Sequence, residues 1–322
     1  MKEKIFLTRT LHDFALKELK KKFQIEIHKG KIPIPQNTLK LKIRDVNGLI
    51  CFPYDKIDKE IIQSAKNLKV ISTFSVGYDH IDIKFAKKKK IRVGYTPEVL
   101  TNATADMAFA LLIDGLRRIS EGDRLIRKGK WKQIYGAYDY VGLDLQGKTL
   151  GIIGLGRIGK TLAKRAKAFD MKIIYYNRKQ ISKTEEKKLG VKYIAFKKLI
   201  SQADIVSIHV PHTIETDQMF NMKIFKKMKK TSFLINTSRG KVVNEKELAL
   251  ALKQKIISGA GLDVFEKEPI NKNHQFLKLE NVVLAPHVGS STKETRSKMA
   301  EITTKNLILG MSGKKPIYSI GY

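Results

Sequence analysis

Three closely spaced glycines are the feature that most limits how this chain of 322 residues can fold. The segment Gly154–Gly159 reads Gly-Leu-Gly-Arg-Ile-Gly and directly follows an apolar run, Thr149–Ile153. A helical pattern over Arg157–Phe169 and a second apolar run, Met171–Tyr176, come next. This order of strand, turn, helix and strand is the context in which a G-x-G-x-x-G motif binds a dinucleotide. We therefore predict that a pyrophosphate binds at the N-terminus of this helix.

Each glycine of the turn has a separate predicted role. Gly154 permits the tight turn between strand and helix, and Gly156 lets the backbone approach the pyrophosphate. Gly159 allows the helix to pack closely on the sheet. All three are predicted cofactor-binding residues.

The end of the next strand predicts which dinucleotide binds. The strand runs into Asn177, Arg178 and Lys179, without the carboxylate that would bind the ribose 2′-hydroxyl of NAD. A guanidinium and an ammonium group suit a 2′-phosphate, which favours NADP, with NAD as the alternative. The general excess of lysine in the chain is a second explanation for these basic residues.

Length and composition indicate a globular protein of two domains. Hydrophobic residues make up 42% of the chain, which is enough for two cores. The single cysteine, Cys51, excludes a disulfide framework and a cysteine-rich zinc site. No metal-binding residue is predicted. The first residues form too short an apolar run for a signal peptide, and no later run approaches a membrane span. We expect a soluble, cytoplasmic protein without membrane contact.

The net charge of +32, from 63 Lys and Arg against 31 Asp and Glu, raises the question of a nucleic-acid partner. Lysines outnumber arginines 51 to 12 and are spread along the whole chain. Nucleic-acid readers more often cluster basic residues and use arginine for bidentate contacts. The run Lys87–Lys90 resembles the end of a surface helix. A solvated lysine-rich surface is therefore preferred to a polyanion site.

Short β-type runs alternate with helical patterns, which predicts parallel sheets built from βαβ units. The fold class that follows is α/β, with two doubly wound parallel-sheet domains of Rossmann type. A mostly apolar helix is predicted at about 101–120, followed by an irregular segment at 121–147. Ser182 and Asn244 are predicted to cap later helices. The predicted strands are Lys4–Thr8, Phe23–Ile27, Asn47–Phe52, Val70–Phe74, Ile91–Gly94, Thr149–Ile153, Met171–Tyr176, Ile205–Val210, Ser232–Asn236, Gly259–Val264 and Val282–Ala285.

A cation, an acid and a titratable base follow the glycine turn, each near the end of an apolar run. They are Arg239, Glu268 and His287. Arginine suits a substrate carboxylate, and histidine is the natural proton donor near neutral pH. A neighbouring carboxylate stabilises the protonated imidazole. The set suits hydride transfer to or from a small carboxylic acid; His209 and His212, beside another strand end, are the main rivals of His287.

Six ordered motifs resemble the D-isomer-specific 2-hydroxyacid dehydrogenases, and among them the chain is most similar to glyoxylate/hydroxypyruvate reductases. The resemblance covers most of the chain and is more specific for the family than for the substrate. The motifs lie at residues 75–82, 99–106, 147–159, 236–240, 261–265 and 286–290.

The resemblance implies a role for individual residues. Arg239, Glu268 and His287 match the catalytic residues of the family, and the amides of Val76 and Gly77 match the loop that receives the substrate carboxylate. Further positions match residues that line the cofactor, with Asp263 near the nicotinamide carboxamide. These cofactor positions are Thr104, Arg157, Ile158, Pro211, Thr216, Thr237 and Asp263.

The family plan also implies a discontinuous substrate-binding, flavodoxin-like domain at 1–98 and 291–322. The dinucleotide-binding Rossmann domain at 99–290 is inserted into it. Members of the family are usually homodimers that are joined through the helix near 101–120 and the segment after it. Two positions depart from the family: Glu98 stands where relatives often have glycine, and His212 where many have leucine.

These features together predict an NADP-preferring reductase of a small anionic 2-oxo acid, glyoxylate or hydroxypyruvate, that forms the D-hydroxy acid. Besides nucleic-acid binding, the less favoured interpretation of the +32 charge, two alternatives stay open. One is another D-2-hydroxyacid dehydrogenase that acts on a phosphoglycerate or gluconate-type substrate. The other is a dinucleotide-sensing protein-binding module of the same fold.

Overall fold

The computed structural model describes residues 2–321, which form two compact units. One unit comprises Met1–Leu100 and Ser290–Tyr322, and the other comprises Thr101–Gly289. Each unit contains a largely or wholly parallel sheet with helices between its strands. The predicted fold class, two doubly wound α/β units with one inserted into the other, is confirmed. No helix among the described residues is both long enough and apolar enough to cross a bilayer.

The first unit contains a six-stranded sheet with the order β2-β1-β3-β4-β5-β13. The first five strands are parallel, and β13 pairs antiparallel with β5. The strands are β1 (Lys4–Leu7), β2 (Gln24–Ile27), β3 (Gly48–Cys51), β4 (Val70–Thr73), β5 (Arg92–Gly94) and β13 (Ser319–Ile320). The helices are α1 (Asp13–Lys22), α2 (Gln36–Lys42), α3 (Lys59–Ser64), α4 (Ile83–Lys88) and α12 (Lys293–Met311).

Strands β3 and β4 are buried along their whole length, as expected of central parallel strands covered on both faces. Helix α4 begins at an aspartate cap, because the Asp82 carboxylate accepts a hydrogen bond from the Phe85 amide at 2.9 Å. The run Lys87–Lys90 closes this helix before β5, and all four lysines are exposed. The predicted solvated end of a surface helix is confirmed.

The second unit contains a seven-stranded, fully parallel sheet with the order β8-β7-β6-β9-β10-β11-β12. Its strands are β6 (Thr149–Ile153), β7 (Lys172–Tyr176), β8 (Val191–Tyr193), β9 (Ile205–Ile208), β10 (Phe233–Asn236), β11 (Gly259–Leu262) and β12 (Val282–Leu284). Its helices are α5 (Thr101–Arg117), α6 (Ile119–Arg127), α7 (Arg157–Lys167), α8 (Lys183–Leu189), α9 (Phe196–Gln202), α10 (Met222–Phe225) and α11 (Glu245–Lys253).

The strand order of the second unit fixes where a ligand can bind. The order changes direction at β6, which has β7 on one side and β9 on the other. In open parallel sheets the crevice at such a switch point, outside the carboxyl ends of the strands, is where ligands bind. The glycine turn directly follows β6 and therefore lies at this switch point.

The long apolar helix ends earlier than predicted, and the segment after it is not wholly irregular. Arg118 adopts the left-handed conformation (φ +58°) and separates α5 from α6, which lies inside the segment predicted to be irregular. Its guanidinium is bonded to Glu121 and lies 4.0 Å from the centre of the Tyr140 ring. The Asp114 carboxylate accepts a hydrogen bond from the Ser120 amide at 2.7 Å. These side-chain contacts stabilise a break that the apolar pattern does not reveal.

Candidate active site

The glycine turn at the end of β6 is held by contacts that a side chain at Gly154 would disrupt. Gly154 has φ +98°, and a Cβ at this position would lie 2.8 Å from the carbonyl of His209. The next amide, that of Leu155, donates to Oδ1 of Asn177 at 2.6 Å. Asn177 is a predicted cofactor residue, and its side chain ties the end of β7 to the glycine turn. The turn is therefore fixed from both neighbouring strands.

The residues around the turn fit a bound dinucleotide. A Cβ at Gly156 would meet no atom within 4 Å, so the backbone is open to a ligand where α7 begins. At Gly159 a Cβ would lie 2.5 Å from the carbonyl oxygen of Gly154, so only glycine allows the helix to approach this closely. At the end of β10, the hydroxyl of Thr237 is buried and lacks a hydrogen-bond partner among the described residues. Such a hydroxyl suits a polar group of a ligand.

Two segments predicted to bind the cofactor approach each other beside the turn. The Thr213 hydroxyl, which donates to Glu215 at 2.6 Å, lowers the pKa of Glu215, and the charge of Arg178 lowers it further. This places Arg178, after β7, near the loop after β9. The Thr216 hydroxyl donates to the carbonyl of Pro211 at 2.7 Å and thus closes that loop on itself. Arg157 and Ile158 occupy the first two positions of α7, the helix end at which a phosphate group binds most readily.

His287 and Glu268, predicted to be catalytic, are paired in the structure. His287 follows β12 in the left-handed conformation (φ +56°), and its Nδ1 lies 2.6 Å from Oε2 of Glu268. The other oxygen, Oε1, accepts a hydrogen bond from the Phe265 amide at 2.8 Å. Because an ionised carboxylate only accepts hydrogen bonds, Nδ1 carries a proton. Nε2, on the opposite edge of the ring, is then the nitrogen suited to exchange a proton with a substrate.

Asp263 braces the loop that carries His287. Its buried carboxylate accepts hydrogen bonds from the amides of Val288 and Gly289, each at 2.8 Å. Burial raises the pKa of Asp263, and the charge of Glu268 adds to this effect, whereas the two amides and His287 oppose it. A Cβ at Gly289 would lie 3.6 Å from the side chain of Thr104, so that predicted cofactor residue lies beside the same loop.

Arg239 lies in a tight turn directly after β10. Its Nη1 donates to the carbonyl of Ser238 at 2.8 Å, and its own carbonyl accepts from the amide group of Asn236 at 2.9 Å. Oδ1 of Asn236 accepts from both the amide and the hydroxyl of Ser238. A Cβ at Gly240 would lie 1.8 Å from the carbonyl carbon of Phe265, so the turn contacts the loop that carries Glu268. Sequence reasoning missed Asn236, which ends β10 and organises this turn.

The two rival histidines have other partners. Nε2 of His209 lies 2.8 Å from the Ser207 hydroxyl, and burial lowers the pKa of His209 to about 4. Such an imidazole is neutral near pH 7 and cannot serve there as a charged acid. Nε2 of His212 lies 2.8 Å from Asp217 on an exposed loop. Of the three strand-end histidines, only His287 is paired with a glutamate that is also held by a backbone amide.

In the first unit, the loop predicted to bind a substrate carboxylate follows β4. The Ser75 hydroxyl donates to the carbonyl of Gly77 at 2.6 Å, next to Val76. Oγ1 of Thr73 lies 2.7 Å from the Ser75 hydroxyl and 3.0 Å from Nε2 of His80. Buried hydroxyls therefore fix the backbone of this loop.

Glu98, one of the two departures from the family pattern, has a conformation that favours glycine. Its φ is +72°, in the left-handed region that favours glycine, the residue that the resemblance to the family implies at this position. The Tyr318 hydroxyl donates to Oε2 of Glu98 at 3.1 Å, a contact that glycine could not make.

Comparisons with known proteins identify relatives of this chain. The family model described as D-isomer specific 2-hydroxyacid dehydrogenase, NAD binding domain, matches residues 109–289. The chain is 48% identical over 319 residues to a glyoxylate reductase of Thermococcus litoralis, which covers 98% of this chain and 96% of that protein. A solved structure from Thermus thermophilus has a TM-score of 0.91 at 39% identity and covers 98% of this chain and 99% of that chain. An NADPH-dependent glyoxylate/hydroxypyruvate reductase of Sinorhizobium meliloti, in complex with NADP and malonate, has a TM-score of 0.86 at 30% identity and covers 100% and 97%.

Proposed function

Because this chain belongs to the D-isomer-specific 2-hydroxyacid dehydrogenase family, we propose that it reduces a small 2-oxo acid to the D-2-hydroxy acid. Glyoxylate and hydroxypyruvate are the proposed substrates, since the relatives in Thermococcus and Sinorhizobium are named for them. NADPH is the proposed hydride donor, with NADH as the alternative. The observation that carries the proposal is the pairing of Glu268 with His287 on the same sheet edge as the glycine turn.

Each proposed catalytic residue has a defined role. When bound, the reduced nicotinamide supplies the hydride that the carbonyl carbon accepts. His287 donates a proton from Nε2 to the ketone oxygen, and Glu268 stabilises the imidazolium before this transfer. Arg239 binds the substrate carboxylate and polarises the carbonyl group. In the first unit, the amides of Val76 and Gly77 remain a proposed substrate-binding loop.

The proposed cofactor site combines the glycine turn with the ends of β7, β9 and β10. The turn and the first amides of α7 bind the pyrophosphate, and Thr237 supplies a buried hydroxyl. Arg178 and Lys179 bind a 2′-phosphate, supported by the absence of an acid at Asn177. The remaining proposed contacts are Thr104, Pro211, Thr216 and Asp263.

Initial rates of NADPH and NADH oxidation test this proposal, with glyoxylate, hydroxypyruvate, pyruvate and phosphohydroxypyruvate compared under the same conditions. We expect glyoxylate or hydroxypyruvate with NADPH to be fastest, and hydroxypyruvate to yield D-glycerate. A higher rate with phosphohydroxypyruvate than with glyoxylate or hydroxypyruvate would show that the proposed substrates are wrong. Dinucleotide binding without turnover of any 2-oxo acid would favour a dinucleotide-sensing module instead.

A homodimer is also proposed, because the end of α6 and the chain after it expose large apolar side chains. Five of them between residues 126 and 141 are more than half exposed: Ile126, Trp131, Ile134, Tyr138 and Val141. Clustered exposed apolar residues mark protein contacts in soluble proteins. Light scattering should give the mass of a dimer, and Ile134→Ser with Tyr138→Ser should give a monomer. Leu41→Ser, at an exposed site in the first unit, is the control that should stay dimeric.

A further inference from the structure

A second pair of glutamate and histidine lies beside the loop that carries Glu268. The Phe265 amide of this loop donates to Glu268, and the next amide, that of Glu266, donates to Oε1 of Glu245 at 2.6 Å. Oε2 of Glu245 lies 3.2 Å from Nε2 of His274. Two carboxylates, each paired with an imidazole, therefore hold consecutive amides of one loop.

Glu245 is bonded through its backbone as well as its side chain. Its amide donates to Oε1 of Glu266 at 3.0 Å, which makes the contact between these two glutamates reciprocal. Its carbonyl accepts from the side chain of Gln275 at 3.0 Å. Nδ1 of His274 accepts from the Phe276 amide, so Nε2 carries the proton that His274 donates to Glu245. Glu245 therefore links the start of α11 to both ends of the segment 266–275.

Capping of helix α11 does not explain this buried acid. The cap is already supplied by Asn244, which accepts from the Glu247 amide at 3.0 Å. Glu245 is only 8% exposed, and this burial raises the pKa of its carboxyl. The hydrogen bond from the Glu266 amide and the contact with His274 lower the pKa, whereas the negative charge of Glu266 raises it further. Burial of a charged group is costly unless its bonds are satisfied, so this position favours a residue with a specific task.

The two segments that Glu245 connects carry two of the proposed catalytic residues. Arg239 and Gly240 precede α11, and a Cβ at Gly240 would lie 2.3 Å from the Glu266 nitrogen. The backbones of the two segments are therefore in direct contact. The bond between Glu245 and Glu266 joins these segments close to that contact.

We propose that Glu245 and His274 are positioning residues, which hold the Glu268 loop against the Arg239 turn and so keep Glu268 bonded to His287. Only the predicted loss of turnover rests on the proposed function; the predicted change in the contact between Glu268 and His287 does not. Glu268 and Asp263 are charged groups that face His287, and neither is altered in the test.

The test compares Glu245→Ala with the conservative Glu245→Gln, which can still accept from the Glu266 amide. Asp204→Ala is the matched control: its carboxylate also accepts from a backbone amide, that of Thr149 at 2.8 Å, but at the amino ends of the strands. We expect kcat of Glu245→Ala to fall about tenfold to hundredfold, the scale for small misplacement of reacting groups. In the pH profile of kcat for reduction, Glu245→Ala should also move the alkaline limb to lower pH. Glu245→Gln should recover most of the lost kcat and most of the shift in the limb. Asp204→Ala should leave the limb unmoved.

A second readout does not depend on turnover. The proton on Nδ1 of His287, bonded to Glu268, should give a downfield proton resonance that disappears in Glu268→Gln. In Glu245→Ala it should move upfield or broaden, and in Asp204→Ala it should stay in place. If Glu245→Ala does not fold, His274→Asn serves, because it removes the imidazole and leaves Glu245 bonded to Glu266. An unmoved resonance in the folded variant would overturn the inference, even if the protein reduced no 2-oxo acid.

Discussion

Oε2 of Glu268 lies 2.6 Å from Nδ1 of His287, and this contact decides which edge of the imidazole can act on a substrate. A carboxylate bonded to one nitrogen fixes the orientation and tautomer of the ring and stabilises its protonated form. In the same cluster, Asp263 holds the two amides that follow His287. His287 is therefore held both through its side chain, by Glu268, and through the backbone that follows it, by Asp263.

Replacing His287 with alanine should remove most of the turnover. We expect kcat for 2-oxo acid reduction to fall by about two to four orders of magnitude, the scale for a general acid. The dissociation constant for NADPH, measured by fluorescence titration, should change little, because the imidazole is not a proposed cofactor ligand. Retention of turnover would remove His287 from the mechanism.

Glu268→Gln should lower turnover. The amide can still accept from the Phe265 backbone but carries no charge that stabilises the imidazolium, so we expect kcat for 2-oxo acid reduction to fall about tenfold to hundredfold. Steady-state rates measure this loss, and the dissociation constant for NADPH checks that cofactor binding is intact. An unchanged kcat would contradict the coupling.

Arg239→Ala should raise the apparent KM for the 2-oxo acid and lower kcat. Each hydrogen bond to a charged group is worth about 1.5–3 kcal/mol, so the loss in kcat/KM should be severe. Arg239→Lys is the matched variant, and it should recover only part of the loss because an ammonium lacks the bidentate geometry. Unchanged kinetics in the alanine variant would place the carboxylate elsewhere.

Arg178→Ala combined with Lys179→Ala should alter the choice of cofactor. We expect KM for NADPH to rise at least about tenfold while KM for NADH changes little, since only NADPH carries the 2′-phosphate. Lys197→Ala with Lys198→Ala, two lysines on α9, controls for the general loss of positive charge. Equal losses for both cofactors would show that selectivity lies elsewhere.

The lowered pKa of His209 should make stability depend on pH. The pKa of His209 in the folded state is about 4, below the ordinary 6.5. Its contribution to the free energy of unfolding is therefore present above pH 6.5 and is lost as the pH falls towards 4. The contribution is on the order of 3 kcal/mol. His209→Gln should weaken the pH dependence of the unfolding free energy between pH 4 and 6.5, whereas His12→Gln, at an exposed position, should leave it unchanged. A retained slope in His209→Gln would assign it to other groups.

The sequence predicts the parts of this fold whose signal is local. Apolar runs locate eleven of the strands to within a residue or two at each end, and Ser182 and Asn244 cap α8 and α11 as predicted. Short elements with few apolar residues, such as α2 and β8, are not predicted. The break at Arg118 is not predicted either, because it depends on side chains that lie up to 22 residues away.

For the site, the sequence identifies the residues that the proposed reaction requires. It does not identify the residues that keep those side chains in position. The pairing of Glu268 with His287 follows from the expected mechanism, and the structure contains it. Glu245 and His274 are 29 positions apart and belong to no chemical motif. Only the fold brings them to the Glu268 loop, so periodicity and motif spacing could not reveal them.

Transfer of label from NADPH that carries deuterium at both C4 positions tests the central claim most directly. If a hydride passes to the carbonyl carbon while His287 protonates the oxygen, each molecule of D-glycerate formed from hydroxypyruvate should carry one deuterium at C2, as seen by mass spectrometry. Transfer should be lost together with turnover in His287→Ala. Product formed in normal water without deuterium at C2, or no oxidation of the cofactor by any 2-oxo acid, would contradict the claim.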